Sequence, residues 1–261
     1  VIEISRIAGE AMREIDILGV RTHAQPFAAA IATLLDWAQQ PVGRYVSTCP
    51  VYTLMRAVED ADVRSAVTGA DLITADGMPV VWLQRRRGAP EAERVYGPDI
   101  MLALCERGVP LGLRHYLLGG VGDTAERLAA VLQSRFPGLI IAGMASPMVA
   151  DPPQIDPALV AQISAARPHV IWVGFGSPKQ DRWMAAHRST LPALMIGVGA
   201  AFDLLTGRKK QAPRWIQRSG LEWLYRLVQE PRRLWRRYLV YNARFLWLLA
   251  RRGEWRRGHG V

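Results

Sequence analysis

The sequence predicts an α/β fold: a Rossmann-like parallel sheet with helices on both faces, followed by a basic amphipathic helical appendage at the C-terminal end. Two observations carry the sheet and a third the appendage. Short apolar runs alternate with longer helical patterns along the first 204 residues, as expected of strands buried on both faces and joined by crossover helices. Small and polar residues gather just after five of those runs, where loops leave the carboxyl ends of strands. Residues 205–261 hold 15 of the 33 Lys and Arg residues against only Glu222, Glu230 and Glu254.

The strands are expected at 44–48, 71–75, 114–118, 139–143, 169–175 and 194–198, and the helices at 51–67, 78–87, 98–107, 123–135, 157–166 and 178–188. Pro147, Pro152, Pro153 and Pro157 mark one surface loop between a strand and a helix. In the appendage, Leu221, Leu224, Tyr225 and Val228 repeat at helical spacing. Pro231 forces a break before a second helix with Leu234, Trp235, Tyr238 and Leu239. The organisation expected is therefore an α/β domain over 1–204 and an appendage over 205–261.

Composition narrows the function. With 261 residues, half of them hydrophobic, and a mean hydropathy of +0.04, the chain is long enough for a sizeable core and is neither a disordered tract nor a membrane bundle. No run of 18 uncharged residues occurs, and the opening VIEISRIAGEAMREID carries acids among its apolar residues rather than the pattern of a secretory signal, so a cytoplasmic location is expected. Cys49 and Cys105 have no metal-like spacing and read as reduced, buried thiols; no metal ligand set and no cofactor are expected.

The net charge of +10 belongs to the appendage, at +12, while the first 204 residues carry −2. The appendage also holds Trp215, Trp223, Trp235, Trp247 and Trp255, five of the nine tryptophans. Arginines opposite Trp and Leu suit a helix lying in the headgroup layer of an anionic membrane, where each basic residue adds about 1 kcal/mol. Nucleic acid is a weaker partner here, because no recognised binding motif accompanies the basic segment. The apolar face could equally pack on its own domain or on a second copy of the chain, making a homo-oligomer.

The loops carry the chemistry. They read STCP (47–50), ADG (75–77), GGVGDT (119–124), GFGSPKQ (174–180) and GVGAAFD (197–203). In GGVGDT, Gly119 and Gly120 offer amides to an anion, with Asp123 or Thr124 as a helix cap; the spacing lacks the GxGxxG of a dinucleotide site. In GFGSPKQ, Gly176 precedes Ser177 as N-cap and Pro178 as first helical residue, aiming Lys179 and Gln180 into a phosphate-sized or nucleotide-sized crevice. Thr48, Gly77, Gly199 and Asp203 lie on the neighbouring loops. Asp76 follows its strand directly and is the leading general base, with a helix cap as the alternative role.

Six stretches then make the chain resemble the WecG/TagA/CpsF family of bacterial glycosyltransferases, glycosyltransferase family 26. They are ADLITADGMPVVW (70–82), ERVYGPDIM (93–101), YLLGG (116–120), GFGSPKQDRWMAAHR (174–188), IGVGAAFDLLTG (196–207) and APRWIQRSGLEWLYRLVQEPRRLWRRYL (212–239). The resemblance implies an inverting, metal-independent transferase, peripheral on the inner face of the cytoplasmic membrane. Such an enzyme moves a hexose from a UDP-sugar to a polyprenyl-diphosphate-linked sugar in exopolysaccharide or cell-wall polymer synthesis. It places the catalytic carboxylate on Asp76, the active-site threonine on Thr48 and the nucleotide-contacting glutamine on Gln180. It also implies that the appendage meets the membrane and closes over the site, with Arg214, Arg226, Arg232, Arg233, Arg236 and Arg237 toward the lipid diphosphate. Where many members have Asn two residues after the threonine, this chain has Pro50, which leads us to expect a donor without an N-acetyl group. The alternative reading is a non-catalytic scaffold that binds a nucleotide sugar or a membrane.

Overall fold

The computed structural model describes residues 12–253. Its centre is an eight-stranded sheet in the order β1-β2-β4-β3-β8-β7-β5-β6. The six expected strands are present as β3 (Arg44–Cys49), β4 (Leu72–Ala75), β5 (Arg114–Gly119), β6 (Ile140–Ala145), β7 (Val170–Gly174) and β8 (Leu194–Gly197), and all pair in parallel. Two strands lie outside the expected set. β1 (Arg13–Ile17) and β2 (Val20–Ala24) form an antiparallel hairpin through Leu18 and Gly19, and β2 adds to the edge of β4 in parallel. The sheet is therefore mostly, not wholly, parallel.

Alternating side chains on each strand serve two cores, as the two-residue period of a strand requires. Ile73, Ile171, Val173 and Met195 face a core shared with α2 (Val51–Glu59), α3 (Ala61–Thr68), α4 (Met78–Arg86), α7 (Pro157–Ala166) and α8 (Lys179–His187). Leu72, Val170, Trp172 and Ile196 face the other core, closed by α1 (Phe27–Ala38), α5 (Gly97–Gly108), α6 (Thr124–Arg135) and α9 (Ala201–Leu205). Cys49 and Cys105 are free and buried.

Three local expectations need correction. The helix expected over 51–67 is two helices, because Asp60 takes an extended backbone and its side chain accepts from the Asp62 and Val63 amides, starting α3 afresh. The Asp-x-Asp string at 60–62 is thus a helix start, with Asp60 also bound by Arg56 and Arg182. Asp123 stands at the N-cap of α6 but its side chain makes no cap bond, and Pro178 rather than Ser177 stands at the start of α8; the Thr124 hydroxyl donates to the Val121 carbonyl.

The appendage is docked on the sheet's helical layer. After α10 (Arg214–Arg218) and α11 (Glu222–Gln229), Pro231 opens α12 (Pro231–Trp235). This runs through a π-helical turn at Arg236–Val240 into α13 (Tyr241–Arg251). Phe245 and Leu249 of α13 are buried in the same core as Ile73 and Ile171, each burial worth about 1.5–3 kcal/mol. Tyr241 meets Tyr52 edge to face with ring centres 4.9 Å apart, and Arg244 pairs with Glu59 at 3.0 Å. Trp255, Arg256 and Arg257 lie outside the described residues.

Candidate active site

β4 ends at Ala75, so Asp76 is the first residue beyond the strand. α4 starts with Gly77 as its N-cap and receives no side-chain bond, so Asp76 is not the cap and its carboxylate faces the crevice. Among the described residues its buried Oδ1 has no hydrogen-bond partner. Burial pushes this carboxyl up to about 6; Arg94 opposes the shift, Glu222 adds to it, and Arg226 and Arg237 oppose it further.

Two cavities meet at Asp76. One lies under the appendage between Tyr52, Trp223 and Asn242. The other runs along the ends of β3, β7 and β8 past Thr48, Gly176, Ser177, Gln180 and Gly199. Pro50, Asp76, Tyr96, Arg226 and Arg237 line both. A carboxylate in a shared wall can reach a group in either space.

The second cavity has a fixed floor. Thr48 Oγ1 donates to the Gly197 carbonyl at 2.6 Å, tying β3 to β8. Gln180, 1% exposed, accepts the Gly176 and Gly199 amides on its Oε1, both at 3.1 Å, while its Nε2 donates to Ser177 Oγ at 3.2 Å. One amide side chain therefore fastens the loop after β7 to the loop after β8. Beneath it, Ser47 Oγ donates to buried Asp181 at 2.6 Å.

Arg94 binds the two halves of the site together. Its Nε donates to the Asp76 carbonyl at 2.5 Å, its NH2 meets Glu222 Oε2 at 2.6 Å, and its guanidinium lies 3.9 Å over the Tyr96 ring. The Tyr96 hydroxyl reaches Glu222 Oε1 at 3.4 Å, and Arg94 NH1 donates to Gln217 Oε1 at 3.3 Å. On the far side Arg237 lies 4.4 Å over the Tyr52 ring, and its buried Nε lacks a partner among the described residues. Burial, with Arg226 nearby, holds this guanidinium below its usual range.

The family model for the glycosyl transferase WecG/TagA/CpsF family matches residues 15–259. The chain belongs to that family. It is similar to the N-acetylglucosaminyldiphosphoundecaprenol N-acetyl-beta-D-mannosaminyltransferase of Bacillus subtilis (strain 168), with 31% identity over 205 residues that cover 78% of each chain. As a WecG/TagA/CpsF member the protein is a glycosyltransferase.

In this transferase the residues expected at the site separate into groups. Asp76, Thr48, Gly77, Gly176, Ser177, Gln180, Gly199, Arg226 and Arg237 line one or both cavities. Lys179, Asp203, Gly119 and Gly120 line neither. Asp203 pairs with Lys209 at 2.7 Å. Gly119, at φ +133°, lets the end of β5 approach β7, since a Cβ there would stand 2.9 Å from the Gly174 backbone. Arg214 forms a two-pronged pair with Asp99, both contacts 3.1 Å, tying α10 to α5. Arg232, Arg233 and Arg236 are exposed on the outer face of the appendage.

Arg94, Tyr96, Gln217 and Glu222 were not among the expected site residues. The first two fall within ERVYGPDIM, and Glu222 is one of three acids in a strongly basic segment, an oddity that marks it. No helix among the described residues is long and apolar enough to cross a membrane. The outer face of the appendage instead exposes Trp215, Leu224, Val228, Trp235, Leu239 and Trp247 beside its arginines.

Proposed function

We propose that the protein moves a hexose from a UDP-sugar to a sugar carried on a polyprenyl diphosphate, with inversion and with Asp76 as the base. The observation that supports this most is the Asp76 carboxylate: not a helix cap, without a hydrogen bond at Oδ1 and placed in the wall between two cavities. The donor would occupy the cavity over β3, β7 and β8, and the acceptor sugar the cavity under the appendage. The Bacillus subtilis relative is named for a diphosphoundecaprenol-linked acceptor.

In this reaction Asp76 takes the proton of the acceptor hydroxyl as its oxygen bonds to the anomeric carbon. The bond from that carbon to the UDP oxygen breaks on the opposite side, and UDP leaves with the electron pair. General-base assistance of this kind is worth about 10² to 10⁴ in rate. Arg226 and Arg237, facing both cavities, would meet the charge that grows on the departing diphosphate. Pro50, also in both walls, offers no side-chain amide toward the donor, which favours a hexose without an N-acetyl group. The exposed Trp, Leu and Arg face of the appendage suits peripheral attachment to an anionic membrane.

A transfer assay tests the proposal, with a lipid-diphosphate-linked sugar, a panel of UDP-hexoses, EDTA, and wild type beside Asp76→Asn. The expected result is transfer by wild type, fastest from UDP-glucose, and none by Asp76→Asn while UDP still binds. Transfer by Asp76→Asn at the wild-type rate would overturn the base, and faster use of UDP-N-acetylmannosamine would overturn the donor preference.

A further inference from the structure

We infer that Glu222 is a positioning residue for the transfer: the carboxylate of the appendage holds Arg94 NH2 and so keeps Asp76 free to act as the base. The inference rests on the reading of Asp76 above. Arg94 NH2 stands 2.6 Å from Glu222 Oε2, an ion pair without hydrogen-bond geometry, but 4.0 Å from Asp76 Oδ1, so one guanidinium faces two carboxylates and is in close contact with only one. Both members of the closed pair are well covered, with side chains 15% and 13% exposed.

The rest of Arg94 is already committed. Nε is bound to the Asp76 carbonyl, NH1 to Gln217, and the plane lies on Tyr96. Because its anchor is the backbone of Asp76 itself, Arg94 cannot leave the neighbourhood when Glu222 is removed. Its NH2 then has the Asp76 carboxylate at the limit of ion-pair contact, and closing that gap makes a charge-assisted bond that stabilises the ionised form and weakens it as a base.

The groups facing Asp76 come from four elements. Arg94 and Tyr96 come from the loop before and the start of α5, Glu222 and Arg226 from α11, Arg237 from the π turn, and Cys49 from β3. Glu222 is the carboxylate among them. It both draws a cation away and raises the hold of Asp76 on its proton. Since Glu222 sits on α11, the base is tuned by the docked appendage rather than by the sheet alone.

The test is the pH dependence of kcat for the full chain, in wild type, Glu222→Gln, Glu222→Gln/Arg94→Ala and Asp76→Asn, at saturating donor and acceptor. With Glu222→Gln the acid limb should move down by about 1–3 units, the shift expected when a cation closes on a carboxylate. Its plateau kcat should fall roughly 10-fold or more, while the acceptor KM changes far less. Adding Arg94→Ala should bring the limb back up, because the cation that closes on Asp76 is gone. An unshifted limb in folded Glu222→Gln, whether or not kcat falls evenly across pH, would overturn the inference and leave Glu222 a docking contact. Should the amide variant not fold, Glu222→Asp, with the charge drawn back by one methylene, is expected to shift the limb in the same direction by less. Activity in Asp76→Asn would instead remove the base reading on which all of this stands.

Discussion

The edge of the Trp82 indole fills the space where a side chain at residue 220 would begin: a Cβ on Gly220 would stand 2.5 Å from Trp82 Cη2. Gly220 also holds φ +75°, in the left-handed region. This turn joins α10 to α11 and aims Glu222 at Arg94. Gly220→Ala is expected to cost about 1–3 kcal/mol of docking, chiefly through backbone strain at that φ, because the half-exposed indole can shift. Limited proteolysis should then cut between residues 206 and 231 faster than in wild type, and kcat should fall.

The raised Asp76 carboxyl predicts both an activity limb and a stability trend. As a base it must be ionised, so kcat should fall as pH drops through about 6. The folded chain holds this proton more tightly than the unfolded one. The group's contribution to stability is therefore greatest below about pH 4 and is lost as pH rises through about 6. Asp76→Asn should be more stable than wild type near neutral pH, by up to about 3 kcal/mol, and lose that advantage in acid. Denaturant unfolding of both proteins across pH checks this.

Gln180→Ala should loosen two loops at once. It strands the Gly176 and Gly199 amides, each at a cost of about 1–3 kcal/mol when buried. The expected kinetic sign is a donor KM raised about 10-fold or more with a smaller change in acceptor KM, measured by varying each substrate in turn.

Arg232, Arg233 and Arg236 point outward, away from the cavities, so their part is expected at the membrane. Replacing all three by Ala should weaken binding to anionic vesicles by about 3 kcal/mol, roughly 100-fold, at low salt. Turnover of a short-chain soluble acceptor should change little. Vesicle co-sedimentation and a detergent-free assay separate the two effects.

The alternating pattern was legible because strands buried on both faces leave continuous apolar runs, as LITA and VIWVG do. The hairpin at 13–24 escaped because REIDI and VRTHA mix charges with apolar residues, and its turn uses Leu18 with φ +57° where Gly or Asn is the usual signal. At the site, Asp76 was legible from its place just past a strand. Arg94 was not, since its role depends on Glu222, a residue 128 positions away, and only packing of the appendage brings the two together. Arg226 and Arg237 line both cavities while Arg232 and Arg236 stay exposed, and with a break at Pro231 and a π turn at 236–240 no single helical period spans the four.

Order along the chain gives the docked appendage one more meaning. Synthesis proceeds from the N-terminus, and domains fold as they emerge. The last described strand is complete at Gly197, before Glu222, Arg226 and Arg237 have been made. The protein thus acquires its sheet before its site: a product ending after α9 would keep every described strand and, of the charged groups that face Asp76, only Arg94.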